Sequence, residues 1–214
     1  MLLSITMKEK KSIKKSNNAD IPIKNYEAIV VGTSAGGMAA LNEMAGQIDQ
    51  TFDVPVIVVQ HLYPNSDDFI ARNMNAHCAI LVSEANEKEK ICAGHIYIAP
   101  ANYHLLIEED RTFSLSIDPK VNFSRPSIDV LFESASEIYS NRLIGVLLTG
   151  ANSDGAKGLK KIKERGGITF VQDPNTAEVP TMPRAAINLF PVDYVLPLGE
   201  IIPKIKELIE SNLK

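Results

Sequence analysis

The feature that most constrains the fold is the stretch YEAIVVGTSAGGMAAL, residues 26–41. A short run rich in β-branched residues ends at Gly32, four small residues follow, and the chain continues with residues of good helix propensity. This order predicts a strand, a sharp turn and a helix, with Ser34 at the apex of the turn. Residues 32–36 also fit the nucleophile-elbow pattern G-x-S-x-G, whose confirming context is such a strand-to-helix junction. The stretch therefore favours a nucleophilic serine.

Two other interpretations of this stretch stay open. A strand, a glycine turn and a helix also build sites that cradle phosphates or other ligands, although the G-x-G-x-x-G spacing and a Walker lysine are both absent. The third interpretation is a purely structural turn. If Ser34 is the nucleophile, we expect the backbone N–H of Ala35, the residue after it, to be an oxyanion donor.

Composition excludes several classes of function. The chain has 214 residues, enough for one sizeable core, and its net charge of −4 offers no broad basic surface to nucleic acid. No long uncharged apolar run is present to insert into a membrane. The two cysteines, Cys78 and Cys92, form no CxxC pair and indicate reduced thiols in the cytoplasm. The four histidines are spread singly, so we expect no metal site.

The first 25 residues differ in composition from the rest. They are rich in lysine, and their apolar residues precede the charges, which is the reverse of a secretory signal. We predict a disordered basic arm or linker over residues 1–25 and a catalytic domain over residues 26–214.

Beyond the elbow, predicted strands and helices alternate. Apolar runs predict strands at residues 54–60, 81–82, 95–99, 143–148, 168–172 and 193–196. Helical patterns cover residues 38–48, 66–75, 127–139, 156–165, 183–189 and 199–213. Residues 105–107 and 113–117 flank an acidic turn and predict a hairpin. We therefore predict an α/β fold: a three-layer α/β/α sandwich with a mostly parallel, doubly wound sheet and one antiparallel hairpin.

Reactive side chains follow several of the predicted strands. They are Ser34, His61, Asp154 and Asp173. Because ligands bind beyond the carboxyl ends of parallel strands, these side chains are expected at one edge of the sheet. A serine, a histidine and a carboxylate are the parts of an acyl-transfer triad.

Each member also has a structural interpretation. Asp154 could cap the helix of residues 156–165, and Asp173, the second choice of carboxylate, could be a turn residue before Pro174. The other three histidines are less suited to catalysis by position than His61. His77 is predicted at a helix end, His95 at the start of a strand and His104 near the hairpin. The order serine, histidine, aspartate is not the serine, acid, histidine order of the α/β-hydrolases, so an ordinary lipase is disfavoured.

Several motifs, in order, resemble one family. They are VGTSAGG (31–37), VQH (59–61), GHIYIAP (94–100), RPSIDVLF (125–132), LLTG (147–150), DGAKG (154–158) and MPRAAI (182–187). Together they are similar to the catalytic domain of the bacterial chemotaxis receptor methylesterase, a protein-glutamate methylesterase. The resemblance implies a serine hydrolase that removes methyl esters from glutamate side chains of chemotaxis receptors, releasing methanol, and deamidates receptor glutamines. It implies Ser34, His61 and Asp154 as catalytic residues.

The resemblance also implies the partners, which are methylated helices of membrane chemoreceptors or similar signalling proteins, and it implies no cofactor. Two departures from the family stand out. Members commonly carry an N-terminal receiver domain, for which the first 25 residues offer no room, and the loop of residues 151–153 lacks the expected methionine and glycine. Two alternative functions are a non-catalytic sensor or scaffold of the same fold and a small-molecule esterase.

Overall fold

The computed structural model describes residues 25–211. Its strands, in chain order, are β1 Ala28–Thr33, β2 Val56–Gln60, β3 Leu81–Glu84, β4 His95–Ile98, β5 His104–Ile107, β6 Phe113–Ser116, β7 Leu143–Leu147, β8 Ile168–Gln172 and β9 Tyr194–Leu196. Its α-helices are α1 Gly37–Ala45, α2 Phe69–Asn75, α3 Ile128–Tyr139, α4 Ala156–Glu164, α5 Thr181–Leu189 and α6 Leu198–Ser211. The predicted arm, residues 1–25, lies outside the described residues except for Asn25.

Seven strands form one parallel sheet in the order β3-β4-β2-β1-β7-β8-β9. Strand β1 is central, with β2 on one side and β7 on the other, so the winding of the chain reverses direction at β1. A crevice beyond the carboxyl ends of such neighbouring strands is where ligands bind in open α/β sheets. The topology thus places the segments after β1, β2 and β7 at one crevice.

Successive side chains of β1 point to opposite faces of the sheet and pack into two separate hydrophobic cores. Ile29 and Val31 face a cluster that includes residues of α1, α2 and α6, while Ala28 and Val30 face a cluster that includes residues of α3, α4 and α5. The four side chains are fully buried, as expected for a parallel strand covered on both faces. The predicted three-layer arrangement is confirmed, and the parallel sheet has helices on both faces.

The predicted hairpin is also confirmed, as the antiparallel pair β5 and β6. It is separate from the main sheet, and Leu105, Ile107 and Phe113 pack into the core on the side of α3. Two helix boundaries were wrong by three residues: α1 ends at Ala45, not at Ile48, and α2 begins at Phe69, not at Ser66. The carboxylate of Asp67 accepts a hydrogen bond from the Phe69 N–H at 3.2 Å, a local bond that competes with helical backbone pairing.

Candidate active site

Ser34 lies in the turn between β1 and α1, where the backbone is held at two points. Its N–H donates to the Thr149 carbonyl at 3.0 Å, and its carbonyl accepts from the Gly37 N–H at 2.9 Å. Gly36 has a φ of 78°, in the left-handed region that favours glycine, and it is the N-cap of α1. A sharp strand-to-helix turn with serine at its apex is therefore present, as predicted.

His61 directly follows β2, and its N–H donates to the Thr33 carbonyl at 3.1 Å. The ring lies between the other two predicted residues: Nδ1 is 3.2 Å from Ser34 Oγ, and Nε2 is 2.8 Å from Asp154 Oδ2. A carboxylate is only an acceptor, so we assign the ring proton to Nε2. Nδ1 is then free to accept the proton of the serine hydroxyl.

The Asp154 side chain is fully buried and accepts hydrogen bonds on both oxygens. Oδ2 accepts from His61 Nε2 and from the Ile128 N–H, the latter at 2.7 Å. Oδ1 accepts from Asn122 Nδ2 at 2.7 Å, Ser127 Oγ at 2.9 Å and the Asp129 N–H at 3.2 Å. Burial acts to raise the pKa of the carboxyl, but the hydrogen bonds from His61, Asn122 and Ile128 outweigh it, and the net pKa is lowered.

Asp154 is a capping residue, although not of the helix that its sequence position suggested. The N-cap of α4 is Gly155, whereas the Asp154 carboxylate accepts from the first two N–H groups of α3. Those N–H groups have no partner within their own helix and carry the positive end of its dipole. The N-terminus of α3 therefore stabilises the ionised form of Asp154 while the same carboxylate binds His61.

Gln60, which the sequence analysis did not select, holds the two reactive residues together. Its Nε2 donates to the Ser34 carbonyl at 2.9 Å and to the His61 carbonyl at 3.0 Å. Gly37 is needed beside it, because a Cβ there would lie 1.9 Å from Gln60 Oε1. A sequence signal for Gln60 did exist: it is a polar residue at the end of an otherwise apolar strand, directly before His61. In the structure it is buried.

Thr149 is a second residue that sequence reasoning missed. Its hydroxyl donates to the Ala35 carbonyl at 2.8 Å and accepts from the Val179 N–H at 2.9 Å, while its carbonyl accepts from Thr33 Oγ1 at 3.0 Å. The turn after β1 is thereby tied to the loops that follow β7 and β8. Its signal was its place in LLTG, directly after a buried strand.

A cleft of about 860 Å³ opens in front of Ser34. Ala35 lines this cleft, and its N–H has no hydrogen-bond acceptor among residues 25–211, as an oxyanion donor requires before substrate binds. The loop that differs from the family pattern contributes Asn152, whose Oδ1 accepts from the Asp154 N–H at 3.1 Å. This bond fixes the backbone of the carboxylate residue.

The other candidates lie in structural settings. Asp173 accepts from the Asn175 N–H at 2.9 Å in a turn, as its structural interpretation predicted. His77 binds the Asn73 carbonyl, His95 binds Ser83 Oγ and stacks on Tyr97, and His104 binds the Ser127 N–H and Pro119 carbonyl. Within the described part of the chain, no group of three His, Cys, Asp or Glu side chains could hold a metal ion. No helix among residues 25–211 is long and apolar enough to cross a membrane.

Fold and site together define a class of protein. It is a parallel α/β domain with a hydrogen-bonded serine, histidine and aspartate at the carboxyl edge of the sheet. The arrangement favours the serine interpretation of the elbow over a phosphate cradle, because Ser34 Oγ faces a histidine nitrogen.

Comparison with known proteins identifies the family. Residues 29–205 match the family described as CheB methylesterase. The chain is 56% identical over 190 residues to a putative protein-glutamate methylesterase/protein-glutamine glutaminase of Leptospira interrogans, with 89% of this chain and 98% of that protein covered. It is 38% identical over 204 residues to the protein-glutamate methylesterase/protein-glutamine glutaminase of Hydrogenovibrio crunogenus, with 93% of this chain and 54% of that protein covered.

The crystal structure of the Thermotoga maritima CheB methylesterase catalytic domain superposes with a TM-score of 0.81 at 34% identity, covering 87% of this chain and 98% of that one. The chain belongs to the CheB methylesterase family. The resemblance and the fold class predicted from the sequence are therefore confirmed, and the type of enzyme is a hydrolase.

Proposed function

We propose that this chain is a protein-glutamate methylesterase that hydrolyses methyl esters on glutamate side chains of chemotaxis receptors, and that the same site deamidates receptor glutamines. The observation that carries the proposal is the hydrogen-bonded chain from Ser34 Oγ through His61 to the buried Asp154. The Ser34 end of this hydrogen-bonded series lies in an open cleft that a protein side chain can enter. The named functions of the Leptospira and Hydrogenovibrio relatives support the choice of substrate.

In the acylation step, Ser34 Oγ attacks the ester carbonyl while His61 Nδ1 takes the hydroxyl proton. Asp154 remains ionised and stabilises the imidazolium through Nε2. The N–H of Ala35, the residue before the N-cap of α1, is the proposed donor to the negative oxygen of the tetrahedral intermediate. His61 then returns the proton to the leaving methoxide, and methanol departs.

Deacylation uses the same groups in the reverse direction. His61 Nδ1 accepts a proton from water, the resulting hydroxide equivalent attacks the acyl-serine, and Ser34 recovers its proton as glutamate is released. With a glutamine substrate the leaving group is ammonia, and the acyl-serine intermediate is identical. Both activities therefore need only the one set of residues.

The lining of the cleft fits a neutral side chain carried by a protein. Met38, Leu62, Tyr63 and Ile70 supply apolar walls beside Ser34, and Glu178 supplies a carboxylate. A methyl ester and an amide are uncharged, whereas the glutamate product is an anion that Glu178 repels. This difference favours release of the product.

We further propose that the site of action is the cytoplasm and that the partners are the methylated receptor helices or similar signalling proteins. The two cysteines, Cys78 and Cys92, are free thiols, which agrees with a reducing compartment. Neither nucleic acid nor a membrane is a proposed partner.

The decisive experiment is mass spectrometry of methylated receptor fragments after incubation with the purified protein. We expect a loss of 14 mass units per methyl ester with wild type and none with Ser34→Ala, since removing a nucleophile costs on the order of 10⁴-fold or more in rate. A small activated ester, p-nitrophenyl acetate, is tested in parallel. Hydrolysis of that ester alone would indicate a small-molecule esterase, and hydrolysis of neither substrate would indicate a sensor or scaffold.

A further inference from the structure

A two-residue turn lies beside the proposed catalytic residues. Val121 and Ser124 exchange backbone hydrogen bonds at 3.2 and 2.9 Å. The two residues between them, Asn122 and Phe123, have φ values of 49° and 64°, the left-handed pair expected of a type I′ turn. Asparagine tolerates this conformation well, and phenylalanine does not.

The Asn122 side chain points inward and uses both hydrogens of its amide. Nδ2 lies 2.7 Å from Asp154 Oδ1 and 2.8 Å from Asp129 Oδ2. Asp129 is itself buried, and its other oxygen accepts from the Gly158 N–H at 2.7 Å. One neutral amide thus bridges two buried carboxylates.

This bridge counteracts a like-charge conflict. Burial raises the pKa of Asp129, the Gly158 N–H acts in the opposite direction, and the neighbouring Asp154 charge raises it further. Asn122 gives each carboxylate a donor, and its bond is the shortest of the three that Asp154 Oδ1 accepts. Without the amide, Oδ1 would keep only Ser127 Oγ and the Asp129 N–H.

We propose that Asn122 is a positioning residue for hydrolysis: by bridging Asp154 to Asp129, it fixes the carboxylate that orients His61. The inference rests on the proposed function, because the consequence of a displaced Asp154 is a displaced catalytic base. Asn122 acts through Asp154 and has no role in binding substrate.

The first variant is Asn122→Gly, which removes the amide and keeps a residue suited to a left-handed backbone. We expect kcat to fall about 10-fold to 100-fold, the size of loss that follows removal of the hydrogen-bond partners that orient metal-ligating side chains in other enzymes. KM should change by less than about twofold, because this residue acts after binding. The fall should be equal for the receptor fragment and for p-nitrophenyl acetate, and the NMR signal of the His61 Nε2 proton should shift.

Asn175→Gly is the matched control, since Asn175 Nδ2 also donates to an aspartate, Asp173, at 3.0 Å, but in an exposed turn. It should leave kcat within twofold. If Asn122→Gly does not fold, Asn122→Asp keeps the size and the turn preference and places a third carboxylate between the other two. Its kcat at neutral pH should fall at least tenfold.

The outcomes separate this inference from the proposed function. A folded Asn122→Gly with wild-type kcat would overturn the positioning role, while active wild type and inactive Ser34→Ala would leave the function standing. An inactive wild type would overturn both.

An independent observation concerns the second residue of the turn. The Phe123 side chain is 98% exposed and buries nothing in the core. At a φ of 64° glycine would be more favourable, so the fold gains nothing from phenylalanine here. Its neighbours face the site: Asn122 binds Asp154, and Ser124 Oγ lies 3.5 Å from His61 Nδ1.

We infer that Phe123 contacts an apolar face of the helical protein segment that carries the ester. The inference rests on the proposed function. Phe123 lies between Asn122, which binds Asp154, and Ser124, whose hydroxyl lies 3.5 Å from His61 Nδ1, so its exposed ring belongs to a turn that adjoins the proposed catalytic residues. Tyr63, 87% exposed and part of the cleft lining, offers a second aromatic side chain to the same helix. Aromatic side chains, phenylalanine and tyrosine among them, are enriched in protein interfaces relative to the rest of the surface.

The test is Phe123→Gly, which removes the ring and relieves the backbone. We expect kcat/KM for the receptor fragment to fall about tenfold, mainly through KM, since anchor residues commonly carry that much binding energy. With p-nitrophenyl acetate the change should stay within twofold. Leu81→Ser, an exposed apolar residue on the outermost strand β3, is the control and should change neither substrate. An equal loss with both substrates, or a loss with neither, would overturn the contact.

Discussion

Asp154 illustrates how single residues satisfy two demands in this molecule. The carboxylate must be buried to fix His61, and burial alone would favour its neutral form. The carboxylate accepts five hydrogen bonds, two of them from backbone N–H groups at the start of α3, and those from His61, Asn122 and Ile128 reverse that preference. Every group that binds the Asp154 carboxylate is a donor, so an ionised acceptor is the side chain of this size that satisfies them all.

The choice between the two predicted carboxylates gives a prediction at this scale. Asp154→Asn should lower kcat by about 10²–10⁴-fold, because the amide cannot accept on both sides and the histidine loses its orienting anion. Asp173→Asn should change kcat by less than about twofold, because Asp173 binds its own turn. Initial rates on the methylated fragment, with circular dichroism of each variant, provide the measurement. A larger loss from Asp173→Asn than from Asp154→Asn would assign the acid to Asp173.

At the scale of elements, the elbow depends on close packing between the start of α1 and the end of β2. Gly37 lies against the Gln60 side chain, whose amide donates to the carbonyls of Ser34 and His61. A displaced Gln60 would release both backbones at once. Glycine is therefore required at position 37 because no side chain fits there, and not because of its backbone conformation.

Gly37→Ala tests this packing. The added Cβ would lie 1.9 Å from Gln60 Oε1 and 2.7 Å from Thr33 Oγ1, so we expect a loss of about 1–3 kcal/mol in the free energy of unfolding and a lower kcat. Gly46→Ala at the other end of α1 is the control, because its nearest contact is 3.5 Å and its φ is −63°. It should raise stability by about 0.4–1 kcal/mol, as glycine replacements do at helical positions. Urea unfolding measures both, and equal stability for the two variants would refute the packing argument.

The sequence predicted elements better than it predicted the contacts between them. Runs of apolar residues identified the strands of the parallel sheet, and the strand-end rule selected Ser34, His61 and Asp154, which the structure brings together. Their catalytic roles, and the domain boundary after residue 25, stay predictions. Gln60 and Asn122 escaped because their importance lies in bonds to residues 26 and 32 positions away, which no local pattern records.

At the scale of the whole molecule, the site is also a part of the fold. Strands β1, β2 and β7 and the start of α3 meet at Asp154 and His61, so the hydrogen bonds that prepare the site also join segments distant in sequence. Protonating Asp154 would weaken its hydrogen bonds to His61, to Asn122 and to the N-terminus of α3 at the same time. The stability of the domain should therefore depend on the charge of this one side chain.

The dependence has a definite sign. The folded-state pKa of Asp154 is lowered, so its ionised form stabilises the fold at pH values above the ordinary aspartate pKa of about 3.9. That stabilisation is lost as pH falls below this value and through the folded-state pKa. Asp129 affects stability in the opposite direction, because its folded-state pKa is raised. Its ionisation destabilises the fold as pH rises, and it does so at pH values above the ordinary aspartate pKa. The range below about pH 4 therefore isolates Asp154 from Asp129.

We predict that between about pH 4 and pH 2 the free energy of unfolding of wild type falls more steeply than that of Asp154→Asn, measured by urea denaturation at a series of pH values. Asp154→Asn will be less stable at pH 7, so the slope and not the absolute stability is the quantity to compare. Asp110→Asn is the control: hydrogen bonding by Thr112 lowers the pKa of Asp110 as well, but that carboxylate is exposed and its contribution is screened by solvent. Its acid slope should match wild type. If Asp154→Asn also keeps the wild-type slope, the buried carboxylate has the same pKa in the folded and unfolded chains, and the donors around it do not hold it in its ionised form.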